Sequence, residues 1–180
     1  MKYFIIVAVA CFTSLFFIPS IHDITQSQSI DLVEERVIYQ LPYPGLLPDS
    51  PIYFIKQIRD SILIFTTRDT GKKARLFLQI SDKHMASALA LAEKGRDTLA
   101  QEQLMKAEDQ SLKIPPLLRE IKEQGGSYPD DLVMDLYESN KKHREVITDV
   151  MKKTTETEIK IVETLLTKNE EVKKLLDKLQ

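Results

Sequence analysis

Apolar residues recur every three or four positions along nearly all of the chain after Pro51, and this spacing constrains the fold more than any other feature. The first such stretch carries Ile55, Ile58, Ile62 and Phe65, with polar residues between them. Side chains spaced in this way share one face of an amphipathic α-helix. The alternation typical of a β-strand is missing after the N-terminal segment. The sequence therefore predicts an all-α protein, a helical bundle of four to five helices.

Glycine and proline residues divide the periodic stretches into separate helices. Gly95 is well placed to end the second helix in the left-handed conformation. Pro115 and Pro116 lack the backbone donors of a helix interior, so the third helix must end before them. The predicted helices cover residues 51–66, 71–94, 97–113, a short piece at 117–121, and a final stretch that starts at residue 129.

The final stretch is unusually long for a small bundle. Its apolar stripe continues to Leu179, and about fifty unbroken residues at about 1.5 Å each would reach roughly 75 Å. We therefore expect a long C-terminal helix whose end either protrudes or folds back. Residues 154–157 are polar and weak in helix propensity, so a bend or break is expected there.

The N-terminus has the features of an export signal or a membrane anchor. Lys2 is followed by an apolar run over residues 3–18, which Pro19 ends. The run is shorter than the roughly twenty residues that span a bilayer comfortably, yet no clean cleavage site follows it. Cleavage and retention both remain open. We divide the chain into a signal peptide or anchor (residues 1–20), a polar tether (21–40) and an extracytoplasmic helical domain (41–180).

Composition limits the partners and the chemistry of that domain. The net charge is −2, and positive and negative residues alternate without a basic block. This pattern argues against nucleic acid and anionic lipid as partners. Cys11 is the one cysteine of the sequence and lies in the leader, so the exported domain must be held together by packing without a disulfide.

Four prolines and a glycine between Leu41 and Pro51 form the most distinctive segment of the chain. We predict that this motif is structural and turns the tether into the first helix. Asp49 or Ser50 is expected to cap that helix, and Pro51 suits its first position. The aromatic residues Tyr43, Tyr53 and Phe54, together with Leu46 and Leu47, are expected to pin the loop to the bundle, although the aromatic residues can instead line a pocket. The motif residues are Pro44, Gly45, Leu47, Pro48, Asp49, Ser50, Pro51 and Tyr53.

The segment from Pro44 to Lys56 resembles a bacterial exported family of unknown function that carries a P-G-[IL]-L-P-D-[SH]-P-x-Y-x-x-K motif. Residues 86–95 and 140–147 are similar to two helices of that family. The resemblance implies a helical extracytoplasmic domain behind an export signal or anchor. It implies no catalytic residues. The Ile114-Pro115-Pro116 break departs from the continuous helix expected there.

The three histidines show no spacing of a zinc site, so we predict no metal, no cofactor and no catalytic residue. His84, beside Lys83, is interpreted as a solvated surface residue. His143 lies on the apolar stripe of the last helix. It is interpreted as a core residue and kept as a weak ligand candidate.

Two functional hypotheses follow. The first is a non-catalytic interaction or sensor-like module of the bacterial cell envelope. Its partner would be an envelope protein, with the membrane as a further partner if the leader is uncleaved. The alternative is a binder of a small ligand or metal in the bundle interior, supported by His143 and the aromatic residues.

Overall fold

The computed structural model describes residues 36–128, 130–152 and 159–179. These residues form helices and contain no strand, which confirms the predicted all-α helical bundle. The predicted leader at residues 1–20, most of the tether and the possible break at 154–157 lie outside the described residues. The helices are α1 (Tyr53–Thr66), α2 (Thr70–Glu93), α3 (Asp97–Ser111), α4 (Ile114–Glu123), α5 (Asp130–Met151) and α6 (Ile159–Asp177).

Helix α2 is the central element, because α1, α3, α4 and α5 all pack against it. Its N-terminus is capped by Asp69, whose side chain accepts a 2.7 Å hydrogen bond from the Lys72 backbone N–H. Its C-terminus turns at Gly95, which has a φ of +68° and donates its backbone N–H to the Ala92 carbonyl. The predicted left-handed stop at Gly95 is therefore confirmed, since a side chain would be strained in this conformation.

The proline pair also interrupts the chain as expected. Helix α3 ends at Ser111, and α4 begins at Ile114 with proline in its first turn. Proline is tolerated there because the first N–H groups of a helix have no intrahelical acceptor.

Helices α5 and α6 run antiparallel, so the C-terminal part of the chain folds back on the bundle. Tyr137 near the start of α5 donates to Asp177 at the end of α6 over 2.7 Å. Further along α5, the Asn140 side chain donates to the Asn169 carbonyl over 3.0 Å. Of the two arrangements left open by the length of this stretch, the structure contains the folded-back one. None of the described helices is both long and apolar enough to cross a bilayer.

The core consists of two apolar clusters. The first contains Ala74, Phe77, Leu78, Ile114, Leu118, Leu132, Leu136, Val172, Leu176 and Leu179. The second contains Met85, Ala88, Leu104, Ala107, Val146, Ile147, Met151 and Leu165. Buried polar side chains occupy the helix positions between these clusters. We call them the polar layer: Ser81, Asp82, Glu108, Ser139, Asn140, His143 and Asn169.

Candidate functional site

His143 lies at the centre of the polar layer, fully buried between two carboxylates. Its Nε2 is 3.1 Å from Asp82 Oδ1, and its Nδ1 is 3.0 Å from Glu108 Oε1. Ser139 donates a 2.6 Å hydrogen bond to the same Asp82 oxygen. This buried position agrees with the prediction that His143 is a core residue.

The two carboxylates determine the charge of His143. Burial by itself lowers the pKa of His143, but the hydrogen bonds and negative charges of Asp82 and Glu108 outweigh it and raise the pKa to about 9. At neutral pH the ring is therefore an imidazolium that donates from both nitrogens. Since a metal needs an unprotonated nitrogen, this arrangement makes His143 a poor metal ligand. Among the described residues, no group of His, Cys, Asp or Glu has the geometry of a metal site.

Residues 36–40, which we call the strap, connect this layer to the N-terminal part of the chain. Tyr39 donates its hydroxyl to Asp82 Oδ2 over 2.6 Å, and burial together with Asp82 raises the Tyr39 pKa. The Val37 backbone N–H donates to Glu145 Oε2 on α5 over 2.8 Å. The compact unit therefore begins at Arg36, and the end of the predicted tether lies along the bundle.

His84 is buried, which corrects its interpretation as a solvated residue. Its Nδ1 lies 2.8 Å from the side-chain oxygen of Gln103 on α3, and burial lowers the His84 pKa. The sequence neighbour Lys83 gave no information about this, because burial depends on the packing of α3 against α2. Tyr53 donates to the same Gln103 oxygen over 3.3 Å. The Gln103 Nε2 and Glu108 Oε2 atoms are buried without a hydrogen-bond partner among the described residues.

The proline motif is held by the two polar residues at its end. Lys56 is buried, and its ammonium group donates to the carbonyls of Pro44 (2.8 Å) and Leu46 (3.4 Å). Tyr53, also buried, reaches Gln103 in the interior. Gly45 takes a φ of +72°, which only glycine adopts without strain. These contacts support a structural role for the motif.

Other details of the motif differ from the predictions. No side chain caps α1: Ile52 occupies the cap position, and Pro51 precedes the helix. Asp49 instead pairs with Lys94 over 2.9 Å, because the turn before α1 brings it to the end of α2. Tyr43 is 84% exposed, so it does not pin the loop to the bundle.

Helix α1 directs its apolar side away from the bundle. We define its outward face by five large residues, all about half exposed or more: Phe54, Ile55, Ile58, Ile62 and Phe65. An amphipathic helix normally turns such a face to the core, and α1 does the reverse. The cause is the buried pair Tyr53 and Lys56, whose hydrogen bonds fix the rotation of the helix. Among the described helices, the backbone of α1 lies close to that of α2, and the Tyr53 side chain reaches Gln103 on α3.

These features define a class, a small all-α bundle with a charged polar layer inside and one inverted amphipathic helix outside. The chain belongs to the DUF5667 family, a domain of unknown function whose sequence model matches residues 45–157. The match starts inside the proline motif and continues through α5. No curated protein and no solved structure matches the chain.

Proposed function

We propose that the chain is a non-catalytic interaction or sensor-like module of the bacterial cell envelope. In this proposal the helical domain works outside the cytoplasm, released or held at the membrane by its N-terminal segment. The apolar run at residues 3–18 supports the location. The family to which the chain belongs has no known function, so the membership indicates no reaction.

The outward face of α1 is the observation that carries this proposal. Large apolar patches on the surface of a monomer usually mark contacts with another protein or with a membrane. On this face Phe54 and Phe65 are 56% and 87% exposed, and three isoleucines lie between them. An interaction module needs such a surface, whereas a protein without a partner gains nothing from it.

The alternative is a small-ligand or metal binder that uses the bundle interior. Its support is the pair of buried atoms without partners, Gln103 Nε2 and Glu108 Oε2. Against it, both nitrogens of His143 are already hydrogen-bonded to carboxylates. A thermal-shift screen with metals and envelope metabolites separates the two functions. A ligand at 100 times its dissociation constant adds about 2.7 kcal/mol of stability if the alternative holds.

The location is tested with a reporter that is active only outside the cytoplasm, fused after Gln180. We expect activity with the natural leader and none when the apolar run is interrupted by charged residues. Mass spectrometry of the N-terminus then separates a cleaved signal from an anchor. A silent reporter with the intact leader would refute an extracytoplasmic function.

The interaction is tested in cells with a photo-crosslinking residue at Ile58, on the outward face. Met134, a 63% exposed residue on α5, is the matched control. We expect a specific adduct with an envelope component from position 58 and none from position 134. Equal labelling of both positions would contradict the proposal that the outward face of α1 is the contact surface.

A further inference from the structure

We propose that the outward face of α1 docks on the surface of a lipid bilayer, with the helix lying in the plane of the membrane interface. This inference rests on the proposed extracytoplasmic location and names the partner of the same surface. Three observations favour a bilayer over a protein: the shape of the apolar face, the local charge, and the length of chain that precedes the domain.

The face is wide and short. Phe54 and Ile55 are adjacent in sequence and both exposed, so the apolar side spans about 100° of the helix, more than a narrow helix-pairing seam. A helix of 14 residues is about 21 Å long, and an amphipathic helix that lies in the interface binds with a strength that scales with the apolar area it buries.

The charge around α1 complements a membrane surface. Apart from the buried Lys56, residues 53–73 carry four Lys or Arg and two Asp, a net charge of +2, in a chain whose net charge is −2. A groove of about 300 Å³ adjoins Ile55, lined by the motif loop together with Arg59 and Lys83. Basic residues beside an apolar helix face are typical of helices that lie at the interface. The net charge of the whole chain, which argued against anionic lipid, conceals this local excess of positive residues because acidic residues elsewhere outweigh it.

The preceding chain keeps the domain close to a membrane when the leader is retained. The apolar run ends at Ile18, and the strap begins at Arg36. The intervening 17 residues reach at most about 60 Å when fully extended. A tether of this length gives the outward face a high effective concentration at the bilayer, so a weak individual affinity is sufficient for docking.

The absence of tryptophan from the sequence allows a direct test with the full chain. The Ile58→Trp variant places one tryptophan on the outward face. The Met134→Trp variant places one at an exposed position of α5. Each variant is mixed with vesicles of phosphatidylcholine, with and without anionic phosphatidylglycerol. Brominated lipids in the same vesicles report contact by quenching the fluorescence.

The proposal predicts a blue shift and bromine quenching for Ile58→Trp, and a water-like emission for Met134→Trp in the same vesicles. Anionic lipid should increase the docked fraction, and added salt should reduce that increase. Adding Ile62→Asp to Ile58→Trp should lower the ratio of docked to undocked protein by about tenfold or more, since one apolar side chain is removed and a charge is introduced. The outer position of Ile62 makes this change compatible with the fold.

Two outcomes overturn the proposal. A water-like, unquenched emission of Ile58→Trp in both vesicle types would show that the face does not meet lipid. A blue shift without vesicles that grows with protein concentration, with a doubled mass in light scattering, would assign the face to a second copy of the chain. Either result leaves the proposed function intact if the Gln180 reporter shows export, whereas a silent reporter refutes the function itself.

Discussion

Asn140 on α5 and Asn169 on α6 exchange two hydrogen bonds, because the side-chain amide of each donates to the backbone carbonyl of the other. Both distances are 3.0 Å, and both residues are buried. The reciprocal pair fixes the alignment of the two antiparallel helices at one level of the bundle. Each bond can be removed separately, since each uses a different side chain.

We therefore expect Asn140→Ala and Asn169→Ala each to lower the free energy of unfolding by about 1–3 kcal/mol. The loss has two sources, one hydrogen bond and the packing of a buried amide. Urea midpoints of the full chain measure it. Lys141→Ala, next to Asn140 but exposed in a surface pair with Glu138, is the control and should change stability by less than about 0.5 kcal/mol. Equal effects of the control and Asn140→Ala would contradict the role of the pair.

The charged state of His143 predicts a dependence of stability on pH. The folded pKa of about 9 lies above the usual value of about 6.5 in an unfolded chain. The folded protein therefore holds this proton more tightly, and its stabilising effect is fully present below about pH 6.5. It is lost as the pH rises through about 9, by about 3 kcal/mol in total.

Urea unfolding between about pH 6 and pH 9.5 measures this loss, and NMR of the His143 ring measures its pKa in the same protein. The expected result is a falling midpoint across this interval and a ring that titrates well above His84. A His143 ring that is neutral at pH 7, together with a flat midpoint, would show that Asp82 and Glu108 do not hold the proton.

Lys56, which holds the proline motif, and Asp49, which belongs to it, are predicted to differ in their effect on stability. Lys56→Met keeps the length of the buried side chain but removes the hydrogen bonds to Pro44 and Leu46. It should cost about 1.5–3 kcal/mol, the range for bonds from a charged donor. Asp49→Ala breaks only a partly exposed ion pair with Lys94 and should cost about 1 kcal/mol or less. Denaturant midpoints that reverse this order would show that Asp49 contributes more to stability than Lys56.

The strap should be loosened by the loss of one hydroxyl group. Tyr39→Phe removes the donor to Asp82 and should lower the free energy of unfolding by about 1–2 kcal/mol. The Val37 amide, which donates to Glu145 on α5, should also exchange its hydrogen faster, because Val37 lies on the same strap as Tyr39. Tyr43→Phe, at a position that is 84% exposed, is the matched control. Unchanged Val37 exchange in Tyr39→Phe would show that the hydroxyl does not hold the strap.

The helices were predictable because their signals are local. Apolar residues at steps of three and four, with Gly95 as a stop, placed the second helix at residues 71–94, and α2 spans Thr70–Glu93. The break before α4 followed from the missing donors of Pro115 and Pro116.

The direction of each helix face was not predictable in the same way. Periodicity shows that Ile55, Ile58 and Ile62 share a side of α1, but the partners of Tyr53 and Lys56 decide where that side points. Those partners come from α3 and from the loop. The burial of His84 depends in the same way on a distant residue, Gln103. The positions of Ser81, Ser139 and His143 within apolar stripes were local signals of the polar layer.

The polar layer also determines which alignments of the bundle are possible. A slip of α5 by one turn, about 5.4 Å, toward the second apolar cluster would move His143 beside residues such as Met85 and would leave Asp82 and Glu108 without a cation. Purely apolar clusters tolerate such slips far better, because one aliphatic side chain can replace another. We expect the polar layer to specify a single register of the helices and to disfavour the adjacent registers by several kcal/mol.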